Sequence, residues 1–395
     1  GPAPASSCGG RRRTGTSSSV VYSVGTVTGR RGQQSYCLVA DAHDNLYVLD
    51  HDSATASILH ARVLVKGSGH TWTPGVLRTA ALPTYEGRIN QIAAAWHPQG
   101  SGGGTIVAVI GRSPGSGAGT AMPYALLDCG HLFTGAGSLL RATGDAEGLL
   151  VDASAPNGYN SYPNEVGTLL DVAAVPGSGV GYVLSTAQHQ VMGTNSRQSI
   201  GRYELRQDGA GFASTARTLD AYSGFSVKDP DAKSRVIPLS GTQFLTVNVS
   251  STTDFGATVK HRQWSPSGFS VLSDVRLDAQ GLASMPDAAT LSTSPAWDAV
   301  HDPAANRVWV YYLDTADPTR LMRTHVDLDT GLAAADEVEV ATGVGAPGSA
   351  NHAIRVHRGA TRGQQVLITV ANEDSGSHSL LYVTDLLNVP PTQPT

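Results

Sequence analysis

Two acidic turns come closest to a metal-ligand set in this sequence. Residues 41–45 read DAHDN and residues 50–53 read DHDS, so several carboxylates lie near one another. Calcium prefers oxygen ligands of this kind. A related turn recurs as HDPAAN at 301–306, however, where Asp and Asn are typical turn residues. The histidines show neither HxH nor HExxH spacing. We therefore predict ordinary turns here, with no metal and no other cofactor.

A second group of candidates would bind a ligand through aromatic rings. The segment 157–165 reads NGYNSYPNE and holds Tyr159, Tyr162 and Asn164. Rigid aromatic rings among adaptable polar groups are typical of binding loops. Trp72 lies in a glycine-rich turn, where a large aromatic side chain has less reason to be buried. These four residues are the predicted ligand-binding residues, and structural packing of the tyrosines is the alternative.

Three arginines and an aspartate suggest hydrolytic chemistry instead. Arg88, Arg235 and Arg355 lie near predicted first strands of a repeated unit, and residues 235–238 read RVIP. This stretch resembles the Arg-Ile-Pro segment of six-bladed sialidases. The resemblance implies an axial site with three arginines, Asp298 as the acid and a Tyr–Glu nucleophile pair. The other acids and the phenol that this scheme would use are Glu86, Glu165 and Tyr312.

Other observations speak against a hydrolase. The S-x-D-x-G-x-x-W box that sialidases repeat is absent, and the hairpin SPSGFSV at 265–271 lacks both its Asp and its Trp. The nucleophile elbow GxSxG and the phosphate loop GxxxxGK[ST] are absent too. Glycoside hydrolysis needs two carboxylates about 5–10 Å apart, and spacing in sequence does not give that distance. We therefore predict no catalytic residues; Arg88, Arg235, Arg355 and Asp298 are the set to test if the chain is a glycosidase.

Composition and repetition predict the fold that must position these residues. The 395 residues include 45 Gly and 21 Pro, and only 15% are charged, which indicates short strands joined by tight turns. One hairpin motif occurs three times, at 203–221, 261–279 and 324–341. In each copy a Gly-apolar pair closes a polar turn between two strands. Such recurrence indicates a repeat architecture.

Six strands rich in β-branched and aromatic residues recur about 58 to 75 residues apart, a spacing that fits one propeller blade. These strands are 45–50, 105–111, 180–186, 243–249, 307–313 and 364–371. A strand of small apolar residues precedes each one, and a third strand follows. Five units also have a fourth strand. The sequence therefore predicts an all-β fold, a β-propeller of six blades with four antiparallel strands each. Seven blades are the alternative, because the longest interval has room for more strands.

The sixth unit has no fourth strand, whereas an unassigned strand occupies 20–29. We predict that this N-terminal strand completes the last blade, which closes the ring and removes exposed sheet edges. Residues 1–19 are then a tail, which begins with the Gly-Pro pair that a 3C-type protease leaves. Residues 20–388 form a single propeller domain, and 389–395 form a Pro-rich linker. A sandwich array is the main alternative fold.

Charge and cysteine content exclude several functions. The net charge of −5 is spread along the chain, and no basic stripe is present for nucleic acid. No apolar run approaches the roughly 18 residues that insertion into a membrane requires. Three cysteines are too few for a disulfide scaffold. We expect Cys37 and Cys129 to be buried thiols and Cys8 to lie in the tail, with a Cys8–Cys37 bridge as the alternative.

The hairpins, the Ala/Gly/Thr-rich blades and the exit TDLLNVPPTQPT resemble, in architecture, the β-propeller modules in tail and fibre proteins of phages that infect actinobacteria. This resemblance implies virion structure and host attachment. The predicted function is thus non-enzymatic binding of a cell-surface polysaccharide or of neighbouring virion or assembly proteins, outside the cell or in a virion. A sialidase-like glycoside hydrolase is the alternative, and a purely structural module is the third hypothesis.

Overall fold

The chain is almost entirely β-structure wherever its structure is described. The computed structural model describes residues 17–22, 36–51, 58–68, 72–81, 89–98, 103–112, 123–140, 147–149, 167–175, 181–190, 196–207, 212–223, 234–249, 257–265, 268–276, 297–314, 316–317, 319–334, 337–342, 351–358, 365–374 and 377–386. Within these ranges there are 26 strands and one short helix. The all-β prediction is therefore confirmed.

The described strands form six antiparallel sheets, and in five of them the strands follow chain order. In sheet 6 the outermost strand is instead the first strand of the chain, β1 (Ser17–Tyr22). Sheet 1 comprises β2 (Tyr36–Ala40), β3 (Leu46–His51), β4 (Ile58–Lys66), β5 (Trp72–Pro74) and β6 (Arg78–Ala81). Sheet 2 comprises β7 (Ile89–His97), β8 (Thr105–Arg112), β9 (Pro123–Asp128) and β10 (Glu147–Leu149). The helix α1 (Cys129–Thr134) follows β9.

The other four sheets repeat the same order. Sheet 3 comprises β11 (Gly167–Val175), β12 (Gly181–Gln190), β13 (Ser196–Gln207) and β14 (Phe212–Ser223). Sheet 4 comprises β15 (Ser234–Pro238), β16 (Gln243–Val249), β17 (Ala257–Ser265) and β18 (Gly268–Arg276). Sheet 5 comprises β19 (Trp297–Asp302), β20 (Arg307–Leu313), β21 (Leu321–Asp327), β22 (Leu332–Ala333) and β23 (Val338–Ala341). Sheet 6 comprises β24 (Asn351–Arg358), β25 (Gln365–Asp374), β26 (Ser377–Leu386) and β1.

The sheets pack face to face through their first strands. The first strand of each sheet lies beside that of the next, in the five consecutive pairs β2–β7, β7–β11, β11–β15, β15–β19 and β19–β24. Apolar side chains fill the space between neighbours. For example, Tyr47 and Leu49 of sheet 1 pack with Ile106 and Ala108 of sheet 2. Meanders packed in this way have the arrangement of a β-propeller.

The N-terminal strand pairs with the last strand of the chain. β1 runs antiparallel to β26, from Ser17 opposite Val383 to Tyr22 opposite His378. The strand thus starts at Ser17, three residues earlier than predicted, so part of the expected tail belongs to it. Residues 23–29 of the predicted strand lie outside the described residues, as do Cys8 and the linker 389–395. The pairing itself is the one that the sequence predicted.

The fourth strands depart most from prediction. In sheet 1 two short strands, β5 and β6, lie on either side of Gly75 in place of one predicted fourth strand. A Cβ at Gly75 would lie 2.9 Å from Val63 Cγ1, so the backbone approaches β4 closely there. The helix α1 was not predicted. Asp128 caps its N-terminus by accepting from the Gly130 N–H at 2.8 Å, and Cys129 and Leu132 bury it against sheet 1.

Candidate functional site

One register position recurs on the first strands of all six sheets. Its side chain points toward the following sheet, as Cys37 does where it packs in the cluster between sheets 1 and 2. We call it the axial position. In chain order the residues of this axial ring are Cys37, Ala93, Asp171, Arg235, Asp298 and Arg355, each paired with the second strand of its own sheet.

Three hydrogen bonds between sheets establish this register. Asp171 Oδ2 accepts from the Val236 N–H at 2.8 Å, and Asp298 Oδ2 accepts from the Val356 N–H at 2.8 Å. The Cys37 thiol accepts from the Ala94 N–H in the same way. Each acceptor is an axial residue of sheet 1, 3 or 5, and each donor directly follows the axial residue of the next sheet. The first strands are therefore tied in three pairs.

Arg235 joins two of these pairs. Its Nη1 donates to Asp171 Oδ1 and Oδ2 at 3.0 and 3.1 Å, and its Nε lies 2.5 Å from Asp298 Oδ1. The side chain of Arg235 is 17% exposed, whereas those of Asp171 and Asp298 are 2% and 0% exposed. Burial opposes the charge of Arg235, yet the two carboxylates raise its pKa. This arginine is thus a permanently charged link between sheets 3, 4 and 5.

The two carboxylates are occupied by these contacts. Asp298 Oδ1 accepts from the Ala299 N–H at 2.8 Å, in addition to facing Arg235, and Oδ2 binds the Val356 N–H. Asp171 is used equally fully, because Oδ2 binds a backbone N–H and both oxygens bind Arg235. A general acid needs a protonated oxygen that reaches the substrate. In this structure both carboxylates instead bind groups of neighbouring sheets.

The predicted arginines only partly come together. Arg355 is buried in the ring, and its charge acts on both Cys37 and His357. Arg88 lies outside the described residues, although Ile89, which follows it, begins β7. Asp171 was not predicted as a site residue. The signal that could have found it is the pair of segments DVA at 171–173 and DAV at 298–300, which occupy the same place in two repeats.

The predicted Tyr–Glu chemistry is not supported by Tyr312. Its hydroxyl donates to Glu337 Oε2 at 2.6 Å, but the ring lies in the core between sheets 4 and 5. Burial raises the pKa of Tyr312, and the hydrogen bond to Glu337 raises it further. A nucleophile must reach its substrate as well as a base, and Tyr312 is 0% exposed. Its hydroxyl links β20 to Glu337.

Trp72 is buried, contrary to the sequence-based expectation. Only 6% of it is exposed, and its Nε1 donates to the Asp44 carbonyl at 2.9 Å. The Lys66 ammonium lies 4.9 Å from the ring centroid. This tryptophan packs the first acidic turn against β4 instead of presenting a surface. The other predicted binding residues, Tyr159, Tyr162 and Asn164, lie outside the described residues.

The first acidic turn is closed by its own hydrogen bonds. The Asp41 carboxylate accepts from the N–H groups of His43 and Asn45 and from the Tyr47 hydroxyl at 2.7, 3.0 and 2.8 Å. Asp44 has a φ of 62°, which a turn residue of this type tolerates. In the part of the chain that the structure describes, no group of three or more His, Cys, Asp or Glu is arranged to hold a metal ion. Cys37 and Cys129 are both buried free thiols, as expected.

The axial residue lies near the start of three first strands and in the middle of the other three. It is the second residue of β2, β15 and β19 and the fifth residue of β7, β11 and β24. We call the end where the first strands begin the entry end. The tight turns at 41–45, 239–242 and 303–306 lie at the opposite end. Arg88 directly precedes β7 in the chain, and the segment 150–166 directly precedes β11. Both of these first strands start at the entry end.

Comparison with known proteins supports the fold of the chain and shows nothing about its activity. No family model matches the chain, and no curated protein matches its sequence. A sialidase from Trypanosoma rangeli in complex with the inhibitor DANA matches with a TM-score of 0.50 at 11% identity; the match covers 93% of this chain and 59% of the sialidase chain. This chain thus spans less than two thirds of the sialidase.

A second solved structure is similar over nearly its whole length. An α-L-arabinanase from Penicillium chrysogenum complexed with arabinobiose matches with a TM-score of 0.52 at 13% identity, over 93% of this chain and 98% of the arabinanase. At such identities the likeness shows the fold alone. The chain is an all-β protein with the β-propeller fold of these glycosidases. Its described helix is too short to cross a membrane.

Proposed function

We propose that the chain is a closed six-bladed β-propeller that binds a cell-surface glycan or a partner protein without hydrolysing it. The six sheets are the blades, and β1 completes the last of them. Burial on the far face of sheet 1 supports this closure. Leu38, Val48 and Leu64 lie on the face that points away from sheet 2 and are 4%, 2% and 0% exposed, so another sheet must cover them.

The saturation of Asp171 and Asp298 carries the non-enzymatic part of the proposal. Both carboxylates lie where an axial glycosidase site would be, and both are buried and fully engaged by backbone N–H groups and Arg235. Hydrolysis of a glycoside requires one carboxyl group to protonate the leaving oxygen and a second to act as base or nucleophile. Carboxylates committed to tying strands together are unsuited to either step.

A ligand would be held at the entry end. Asp171 and Asp298 bind Nη1 and Nε of Arg235, which leaves Nη2 outside these contacts on a partly exposed side chain. A guanidinium fixed in this way is suited to a sugar hydroxyl or carboxylate, because its orientation is set before binding. Tyr159, Tyr162 and Asn164 remain predicted binding residues. The arabinobiose and DANA named with the two similar structures make a glycan the first ligand class to test.

Retention on glycans tests the proposal directly. We expect the labelled protein to bind cell-wall polysaccharide or intact cells at pH 7.5 and to release no reducing sugar. The double variant Tyr159→Ala/Tyr162→Ala should bind at least tenfold more weakly, as truncated aromatic contacts typically do. Leu332→Thr, on an exposed outer strand, is the matched control and should bind as the unchanged protein does. Absence of retention on polysaccharide, cells and a glycan array would overturn the binding proposal.

A glycoside hydrolase is the second candidate, and one observation favours it. Two carboxylates and two arginines do converge at the ring, as an axial active site would require. If the protein cleaves sialosides or arabinan, and if Asp298→Asn abolishes cleavage while remaining folded, the hydrolase replaces the non-enzymatic proposal. If neither the unchanged protein nor Asp298→Asn cleaves these substrates, the non-enzymatic proposal stands.

The biological setting is also a proposal. A rigid ring that presents loops at one end is suited to a virion tail or a secreted assembly, where a neighbouring protein holds the opposite end. The partner is then a cell-surface polysaccharide or an adjoining assembly protein. Copurification of the chain with virion particles, compared with its recovery from culture medium, separates these settings.

A further inference from the structure

The interface between sheet 6 and sheet 1, which we call the seam, differs from the other interfaces between sheets. Side chains at the axial position and two residues later face the following sheet. Val300 of sheet 5, for example, packs with Ile354 and Val356 of sheet 6. By the same register, Arg355 and His357 of sheet 6 face sheet 1. Arg355 is within electrostatic range of Cys37 in sheet 1.

Polarity sets the seam apart. Two residues after the axial position, five sheets carry an apolar side chain, and these are Val39, Ala95, Ala173, Ile237 and Val300. Sheet 6 carries His357 there. Its Nε2 is enclosed, and no described group forms a hydrogen bond with it, while the rest of the ring is half-buried. An enclosed ring nitrogen without a partner is a weak point in a packed interface.

The groups around His357 are mostly cationic. Arg355 lies on its own strand β24, Arg235 reaches it from β15, and Asp298 from β19 is the acidic exception. On the opposing face of sheet 1, the register places Asp50 of β3 and Arg62 and His60 of β4 on the side that carries Leu38 and Val48. The oxygens of Asp298 are already bound to two backbone N–H groups and face Arg235. A proton added to His357 would therefore be poorly compensated.

We propose that His357 makes the seam acid-labile, so that mild acid separates sheet 6 from sheet 1 before the rest of the ring unfolds. This inference rests on the ring closure proposed above. β1 of sheet 6 directly precedes β2 of sheet 1 in the chain, so separation of the two sheets pulls on the hydrogen-bonded pairing of β1 with β26. Opening would release β1 and would expose Leu38 and Val48 to solvent or to a partner.

The direction of the pH effect follows from linkage. Burial lowers the pKa of His357 to about 3, with Asp298 raising it and Arg235 and Arg355 lowering it. The ordinary pKa of a solvated histidine is about 6.5. The open state therefore binds a proton that the closed state excludes, and stability is lost as the pH falls from about 6.5 toward 3. Between pH 7.5 and pH 5 the open fraction should rise about 30-fold from this group alone.

Hydrogen exchange at single-segment resolution tests the proposal on the full chain. After correction for intrinsic exchange rates, we expect the amides of β1 and those of β26 that pair with it to open about 30-fold more often at pH 5 than at pH 7.5, while β15–β17 change little. His357→Val, which installs the residue type of sheets 1 and 5, should remove most of this increase. His357→Gln, which keeps a polar side chain of similar size but does not titrate, serves if the valine variant does not fold.

The control is His261→Val on β17 of sheet 4. His261 also has an enclosed Nε2 that no described group binds, and burial also lowers its pKa, but it lies away from the seam. This variant should keep the wild-type exchange at the seam. A pH dependence that is equal in the unchanged protein and in the His357 variants would overturn the proposal, and so would uniform opening of all six sheets. Loss of glycan binding at pH 7.5 would instead contradict the proposed function and leave the exchange result unaffected.

Discussion

The axial ring has a neutral part in sheets 1 and 2 and an ionic part in sheets 3 to 6. In the neutral part the Cys37 thiol accepts the Ala94 N–H, and Ala93 occupies the position that holds arginine in sheets 4 and 6. In the ionic part Asp171 and Asp298 accept the equivalent N–H groups. The same backbone donor is thus satisfied by a thiol in one part and by a carboxylate in the other.

The comparison distinguishes two properties of the axial position, a hydrogen-bond acceptor and a charge, which occur together in the ionic part. The hydrogen bond between sheets is common to both parts, so the fold requires an acceptor at the axial position of sheets 1, 3 and 5. Charge is not common to both. A buried carboxylate needs a cation, because an unpaired buried charge is far more costly than a buried thiol. Arg235 compensates the charges of Asp171 and Asp298, whereas the neutral part, which has Cys37, needs no such cation.

Removal of Asp298 should have the largest effect. In Asp298→Ala the Val356 N–H loses its acceptor, and Arg235 keeps only one of its two carboxylates in a mostly buried setting. We expect the free energy of unfolding to fall by about 3–5 kcal/mol, as when a buried ion pair loses one partner. Urea denaturation measures this loss. Asp298→Asn retains an acceptor and should lose less; a loss below about 1 kcal/mol for the alanine variant would contradict the tie between sheets.

The neutral part should respond more weakly to the same removal. Cys37→Ala leaves the Ala94 N–H without an acceptor but leaves no charge behind. We expect a loss of about 1–3 kcal/mol, the range for an unsatisfied buried donor. Cys37→Ser, whose hydroxyl can accept the same bond, should lose less. If the alanine and serine variants were equally stable, the thiol would be filling space and the comparison between the two parts would fail.

Two phenols on second strands extend the comparison away from the ring. Tyr312 donates to Glu337 in sheet 5, and Tyr47 donates to Asp41 in sheet 1. Because Glu337 is half-buried, water can replace the phenol, and Asp41 keeps its backbone donors. Tyr312→Phe and Tyr47→Phe should each lose about 1 kcal/mol in thermal denaturation. A loss of several kcal/mol in only one variant would show that the two sheets differ beyond the ring.

The sequence predicted those features that depend on local patterns. Alternating strands, turn residues and the recurrence of one hairpin predicted the β-sheets, and the unassigned N-terminal strand predicted the pairing of β1 with β26. Local patterns did not predict α1, because six residues with two buried side chains leave too short a signal. They also failed for Trp72, whose burial depends on the Asp44 carbonyl and Lys66, residues brought to it by the packing of β4.

The candidate site was predictable only in part, because its contacts join different sheets. Arg235, Asp298 and Arg355 were singled out, yet their role was taken from the sialidase resemblance, and the structure gives Arg235 and Asp298 buried partners instead. Asp171 was overlooked, since a lone Asp in an apolar strand carries no pattern of its own. Its meaning depends on the register between β11 and β15, which sequence spacing does not specify.

The smallest effect is expected at Leu332, on the outer strand of the same sheet that supplies Asp298. Leu332 is 66% exposed, so Leu332→Thr should change the free energy of unfolding by no more than about 0.5 kcal/mol. The recurring Gly-apolar pair of the hairpin would then owe its place to Gly331, whose φ of 66° an alanine adopts only with strain. Gly331→Ala should therefore lose more stability than Leu332→Thr in the same urea titration. The reverse order would mean that Leu332 is covered in solution by a partner or a second copy, and the outer strands would then have a role beyond scaffold.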